Sequence, residues 1–302
     1  MHGVVAVTGF ALGAIFCAVL AVAEWGAWML VAPGRSLKVG DTGTAPGSGE
    51  GNGEPIEAWT GDGLRLAGAW YRSVSPVVPG RTAIVIHGFA EDPRGFRDRA
   101  EALAKRGWNA AAIDLRGHGQ SEGEHTSFGG RESDDLHAWI AVVASRVGPG
   151  MTLAVWGRSM GAAVALRAAA EDRQGRIAAL VLEAPYHDLE AAIEAMIRRF
   201  RLPGPRLLAW LIARRAEALA GVSLTRPRPL DLALKVAVPT LIVHGSNDAL
   251  VALSDARRLA DAFPAAAPLI EVTGARHTDI LDVGGPALLD RITAFLDTLS
   301  GT

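Results

Sequence analysis

One serine, one aspartate and one histidine stand where their side-chain types and spacing could do chemistry. Ser159 lies in Gly157-Arg158-Ser159-Met160-Gly161, after the apolar run Thr152–Trp156 and before Ala162 and Ala163. In a G-x-S-x-G turn between a strand and a helix, the glycines let the two elements approach closely. The serine takes a strained backbone conformation that projects its hydroxyl above the sheet. A serine hydroxyl needs a base to take its proton, and the base needs an acid to orient it. Both stand downstream. Asp248 ends His244-Gly245-Ser246-Asn247-Asp248, 89 residues after Ser159, and His277 lies in Gly274-Ala275-Arg276-His277-Thr278-Asp279, 29 residues further on. The order Ser, Asp, His is the one this motif requires.

The competing groups read differently. His87 and His244 each precede a glycine at a strand end, and His118 lies in an Arg-Gly-His-Gly loop, so these three are expected to be structural or pocket-lining. His125, His137 and His187 have no matched acid in the required order. Asp188 and Asp282 are rivals for the acid, Asp188 because it follows the strand at Ala179–Leu182. Asp279 reads as a local hydrogen-bonding group, and Asp134 and Asp135 as carboxylates of a first helical turn. No His, Asp or Glu cluster has metal-ligand spacing, and no Gly-rich nucleotide loop carries its lysine. The single cysteine, Cys17, excludes an intrachain disulfide or a cysteine zinc site. No metal and no cofactor are expected.

The elements that must position these residues alternate in type. Ile56–Thr60, Gly61-Asp62-Gly63 and Leu64–Tyr71 read as a hairpin with its turn in the glycines. Six short apolar runs follow, at Ala83–Ile86, Ala110–Ile113, Thr152–Trp156, Ala179–Leu182, Thr240–Val243 and Leu269–Val272. Each is too short for a helix and has the character of a buried parallel strand. Amphipathic stretches separate them; in one, Leu136, Ile140, Val143 and Val147 recur at helical spacing. The alternation implies an α/β fold with a mostly parallel sheet and helices on both faces. Ser159, Asp248 and His277 would all emerge at the carboxyl edge of that sheet, where open α/β sheets bind their ligands.

Taken together, the motifs His87-Gly88-Phe89, Asp114-Leu115-Arg116-Gly117-His118-Gly119-Gln120-Ser121, Gly157–Gly161, Pro239–Asp248 and Gly274–His277 resemble those of the α/β-hydrolase superfamily over essentially all of Ile56–Ser300. The chain looks most like monoacylglycerol-lipase-like and serine-aminopeptidase-like bacterial members and the membrane-anchored Bem46-like hydrolases. The resemblance implies Ser159 as nucleophile, Asp248 as acid and His277 as base. It also implies an oxyanion hole from the backbone N–H groups of Phe89 and Met160, two fixed donors aimed at developing charge. His87, Gly88, Gly157 and Gly161 complete the expected site. The expected activity is cleavage of carboxylic esters, acyl lipids or thioesters, with a peptidase, an acyltransferase or a non-catalytic tethered binding protein as alternatives.

Outside these motifs, the 302 residues carry 30 basic and 32 acidic side chains, a balance that argues against a nucleic-acid partner. Gly3–Ala23 contains 21 residues without a formal charge, about the length needed to cross a bilayer. Trp25 and Trp28 stand where an interfacial belt would lie. Residues 1–32 are therefore expected to be a single-pass transmembrane helix, with a cleaved signal sequence or a buried soluble helix as alternatives. Arg35 and Lys38 after the span favour a cytoplasmic catalytic domain. Residues 33–55, rich in glycine, are expected to be a flexible linker to the domain at 56–300. A helical lid is expected at about 187–235, with stripes at Ile193, Met196, Ile197 and Phe200 and at Leu207, Leu208, Leu211 and Ile212. Met196–Lys235 holds nine basic residues against Glu217 and Asp231, so the lid is read either as a solvated cover over the pocket or as a membrane contact.

Overall fold

The computed structural model describes residues 2–32, 53–74, 78, 80–91 and 94–301, and the side chains of all of these except 2–15, 94, 95, 300 and 301. Eight strands form one sheet: β1 Glu54–Trp59, β2 Arg65–Tyr71, β3 Arg81–Ile86, β4 Asn109–Ile113, β5 Thr152–Arg158, β6 Ile177–Glu183, β7 Thr240–Gly245 and β8 Leu269–Val272. Their order is β1-β2-β4-β3-β5-β6-β7-β8. The β1–β2 and β2–β4 pairs are antiparallel and all the others are parallel. The hairpin turn closes as its sequence requires, with Gly63 at φ +84 and Leu64 N–H donating to Thr60 Oγ1 at 2.8 Å. Each expected strand is present, most of them extended by a residue or two. Glu54 and Pro55, expected in the linker, pair with Trp70 and Ala69 in β1–β2. Residues 33–52 of that expected linker lie outside the described residues.

The helices are α1 His2–Val31, α2 Arg94–Ala104, α3 Glu132–Val147, α4 Met160–Glu171, α5 Leu189–Arg199, α6 Pro205–Ala220, α7 Pro229–Ala233, α8 Leu253–Ala262 and α9 Ile280–Asp297. Strand alternation divides the core into two layers. Ile84, Ile86 and Val155 face a cluster with Leu136, Trp139 and Ile140 of α3, while Ala83, Val85 and Trp156 face one with Phe96 and Leu103 of α2 and Ile292 of α9. From β3 the chain runs to β4 on one side and then crosses to β5 on the other. That reversal opens a crevice at the carboxyl ends of β3 and β5, where Gly88-Phe89 and Ser159 begin.

The 187–235 segment holds α5, α6 and α7. Its stripes divide differently from the expectation: Ile193, Ile197, Leu208 and Ile212 are buried, whereas Met196, Phe200 and Leu207 are exposed. Helical period alone marks an apolar face without marking how much of it a neighbour covers. Several of the basic residues here are paired, Arg214 with Glu217, Arg228 with Asp231 and Arg198 with Glu194.

The N-terminal helix departs from the expected anchor. Among the described residues, no helix is long and apolar enough to cross a membrane. The second half of α1 instead packs on α6. Ala23, Ala27, Leu30 and Val31 are buried, and a Cβ on Gly26 would lie 2.8 Å from Ile212 Cδ1. Glu24, which interrupts the apolar run, accepts Arg215 Nη2–H and Trp28 Nε1–H, both at 2.9 Å. Small residues facing a helix and a paired carboxylate are features of a protein contact, so residues 23–32 are part of the domain. Thr126 N–H donates to the Val31 carbonyl at 2.8 Å and the Trp28 ring lies tilted against His125 at 5.8 Å between centroids, tying the helix end to the loop before α3. Trp28 is thereby a packing residue, while Trp25 stays exposed. Burial of Leu30 and Val31 contributes about 3–6 kcal/mol before the cost of ordering the segment. Ala27→Asp should therefore lower the unfolding free energy of the full chain by about 3 kcal/mol, by burying an unpaired charge. Trp25→Asp should shift it by less than about 0.5 kcal/mol. Denaturant unfolding checks both, and equal effects would contradict the docked helix.

Candidate active site

Ser159 joins β5 to α4 at φ +51 and ψ −110. An L-residue pays about 1–3 kcal/mol for such a conformation. It persists because its neighbours leave no alternative. A Cβ on Gly157 would fall 2.1 Å from the Gly161 carbonyl oxygen, and one on Gly161 would fall 2.5 Å from the Ile86 carbonyl oxygen. Ser159 N–H donates to the Glu183 carbonyl at 2.8 Å, fixing the turn to the end of β6.

His277 stands in the loop between β8 and α9, and Asp248 in the loop after β7. His277 Nε2 lies 3.0 Å from Ser159 Oγ, and Nδ1 lies 2.6 Å from Asp248 Oδ2. With Nδ1–H donating to the carboxylate, Nε2 is left to accept the serine proton. Asp248 Oδ1 accepts the Leu250 and Val251 N–H groups, each at 2.9 Å. Burial pushes the Asp248 carboxyl upward, but the His277 hydrogen bond and charge and these two amides outweigh it and hold it below its ordinary 3.8. The two loops are tied to each other. Asn247 N–H donates to the Ala275 carbonyl at 2.9 Å, and Gly274 N–H to Ser246 Oγ at 2.9 Å. A Cβ on Gly245 would lie 2.3 Å from the Ala275 oxygen.

The remaining candidates fall into supporting places. Asp188 caps α5, accepting Glu190 N–H at 2.8 Å and Ala191 N–H at 3.2 Å. Asp279 accepts Arg276 N–H at 2.6 Å, and Asp282 lies in the first turn of α9. His87 donates from Nδ1 to the Gly88 carbonyl at 2.7 Å and accepts Leu115 N–H at 3.0 Å. His118 donates to the Arg116 carbonyl at 3.0 Å, and His244 donates to the Val251 carbonyl at 3.0 Å. His137 approaches Arg176, and His187 lies 3.2 Å from Asp255. Phe89 stacks on Phe128 at 5.2 Å between ring centroids, and Met160, wholly buried, places Sδ 3.3 Å from Thr126 Oγ1.

Two residues were missed in the sequence. Glu132 is fully buried and accepts from Thr126 Oγ1, Ser127 N, Ser127 Oγ and Gly129 N, knotting the loop that carries Phe128. Glu91 accepts Gly88 N–H at 2.7 Å and pairs with Arg158. Neither carboxylate lies in a motif, and only the turn geometry reveals its partners. Two depressions, of about 410 Å³ between α2 and α9 and about 570 Å³ beside α3 and α4, lie away from Ser159. Chemistry and not cavity size singles out this edge of the sheet. Among the described residues no cluster of His, Cys, Asp or Glu could hold a metal ion.

A mostly parallel sheet with a strained serine elbow at its switch point is the arrangement of an α/β serine hydrolase. Residues 79–229 match the family model described as serine aminopeptidase, S33, and residues 218–301 match the one described as TAP-like protein. The chain belongs to the serine aminopeptidase S33 family of α/β hydrolases. It is similar to the uncharacterized protein YqkD of Bacillus subtilis, 28% identical over 62% of this chain and 61% of that one. It is also similar to the lysophosphatidylserine lipase ABHD12 of Danio rerio, 29% identical over 64% of this chain and 49% of that one. Among solved structures, the Pyrococcus furiosus esterase Pf2001 superposes with a TM-score of 0.68 at 26% identity, covering 82% of this chain and 92% of that one. The chain is thus an esterase- and lipase-like serine hydrolase.

The buried histidines set how stability depends on pH. Burial pushes both His118 and His244 below the ordinary imidazole value of 6.5. The folded protein keeps them neutral while the unfolded chain protonates near 6.5, so their contribution is complete above that pH and is lost as pH falls below it. Asp248 acts in the same direction lower down, its contribution present above 3.8 and lost below. The unfolding midpoint should be flat above about pH 7 and decline from about pH 6.5 to pH 5, less steeply in His118→Gln. Thermal melts across that range test this, and a midpoint that rises on acidification would contradict it.

Proposed function

We propose that this protein hydrolyses carboxylic esters through an acyl-enzyme on Ser159. Ser159 Oγ attacks the carbonyl carbon while His277 Nε2 takes its proton, and Asp248 holds Nδ1–H and stabilises the imidazolium. The backbone N–H groups of Phe89 and Met160 receive the charge that develops on the carbonyl oxygen. His277 then gives its proton to the leaving alcohol. Water, deprotonated by the same nitrogen, attacks the acyl carbon and restores the serine. The observation that carries this reading is the unbroken hydrogen-bonded line of 3.0 Å and 2.6 Å from a strained serine through His277 to a buried Asp248.

We take the substrate to be an ester with an apolar acyl group, a small acyl lipid or thioester, met at a membrane surface. Support comes from the lipase and esterase among the similar proteins and from Trp25 and Met29 of α1 and Leu207 and Trp210 of α6, large apolar side chains left exposed. The S33 match gives a peptide bond as the second reading.

Fluorophosphonate labelling and p-nitrophenyl ester turnover test the chemistry. Ser159→Ala should abolish labelling and lower kcat by at least about 10⁴-fold, and Asp248→Asn should lower kcat by about 10⁴-fold. Turnover should rise with acyl length and on adding anionic vesicles, and it should exceed that of aminoacyl p-nitroanilides. Full labelling of Ser159→Ala would remove the proposal, and faster anilide cleavage would move it to the peptidase reading.

A further inference from the structure

The variable residue of the serine motif ties three loops together. Arg158 ends β5 and is 8% exposed. Its Nε donates to Glu91 Oε2 at 3.0 Å, with Nη2 also against that oxygen, and its Nη1 donates to the Thr278 carbonyl at 3.1 Å. The same Glu91 oxygen accepts Gly88 N–H at 2.7 Å. One guanidinium–carboxylate pair therefore touches the turn after β3, the elbow after β5 and the loop after β8. In each loop the contacted residue is a sequence neighbour of a proposed participant: Gly88 of Phe89, Arg158 of Ser159, and Thr278 of His277.

The surroundings commit Arg158 to this task. Its guanidinium carbon lies 4.8 Å from the centre of the Phe96 ring, which fixes its plane. The nearby Glu183 is already held by Arg99, at 2.8 Å and 3.2 Å, and by Trp156 Nε1–H at 3.0 Å, leaving Arg158 at 3.9 Å from it. Gly88 is shaped for Glu91, since a Cβ there would lie 2.8 Å from the carboxyl carbon. The turn it holds is strained: Ala90 sits at φ +52, with its N–H directed at His118 Nε2 at 3.4 Å. Without an external restraint such a turn would relax and carry the Phe89 amide with it.

We propose that Arg158 and Glu91 are positioning residues for acyl transfer. Glu91 orients the Gly88–Phe89 turn so that the Phe89 N–H faces the oxyanion, and Arg158 locks that turn to the serine elbow and to the histidine loop. Neither residue touches the substrate. The inference rests on the reading of Phe89 as an oxyanion donor. Removal of one such donor costs about 10²–10³ in kcat, so partial misplacement should cost less.

The test uses the full chain with a short p-nitrophenyl ester and four variants: Glu91→Gln, Glu91→Ala, Arg158→Met and the double variant Glu91→Gln/Arg158→Met. We expect kcat to fall about 10-fold in Glu91→Gln and about 100-fold in Glu91→Ala, with KM within about threefold of wild type, because the lost interaction serves the transition state. The double variant should be no worse than Arg158→Met alone, as residues of one unit are not additive. Glu91→Gln is isosteric and decides the matter if Arg158→Met fails to fold. Wild-type kcat in Glu91→Gln and Glu91→Ala, a loss confined to KM, or multiplying losses in the double variant would overturn the assignment. A Ser159→Ala protein that retains activity would instead remove the underlying reading. A dead Ser159→Ala beside a fully active Glu91→Ala removes only the positioning pair.

Discussion

Everything at the site depends on how closely a strand, a turn and a helix can be pressed together around Ser159. The Gly161 carbonyl occupies the space where a methyl group on Gly157 would sit, and the Ile86 carbonyl would lie 2.5 Å from one on Gly161. Two absent side chains thus let α4 begin directly above β5 and beside β3. The serine pays the conformational cost at φ +51, and the packing of fully buried Val155, Val164 and Ile86 around it repays that strain. Because the turn cannot relax, the hydroxyl stays within 3.0 Å of His277 Nε2.

The same compression repeats at Gly245 against Ala275, where the acid loop meets the base loop. There it brings a buried carboxylate to an imidazole. A charge with no exposed side-chain surface is tolerated because Asp248 accepts two backbone N–H groups as well as the His277 N–H. Beside Asp248, burial keeps His244 neutral, and the buried Arg99–Glu183 pair is completed by Trp156 Nε1–H donating to Glu183. The result is a low-dielectric floor in which fixed dipoles act strongly and need no reorganisation during a reaction.

The parts of this arrangement that announce themselves in sequence are those that use rare local chemistry. Gly157-Arg158-Ser159-Met160-Gly161 and the strands around it were legible because short apolar runs alternating with amphipathic stretches, one of them leading into a G-x-S-x-G turn, have few other uses. Asp248 and His277 were legible by order and by position after their strands. Glu91 and Glu132 were not, since a carboxylate bonded to backbone amides of its own loop has no sequence signature distinct from a solvated one. The α1 contact was hidden for another reason. Ala23, Gly26 and Ala27 suit a lipid-facing helix and a tightly packed one equally well, and only Glu24 hinted that a partner, Arg215, was near. Met196 and Leu207 fit the period of α5 and α6 yet face outward, because the period reports the spacing of apolar residues and not the width of the surface that covers them.

The central claim is that Ser159, His277 and the amides of Phe89 and Met160 converge on one reacting centre. The most direct test is a crystal structure of the full chain inactivated by an alkyl fluorophosphonate. The account predicts a covalent bond from phosphorus to Ser159 Oγ, His277 still paired to Asp248, and the phosphoryl oxygen about 3 Å from both the Phe89 and Met160 nitrogens. An adduct on another residue, or a phosphoryl oxygen turned away from both amides toward solvent, would contradict it.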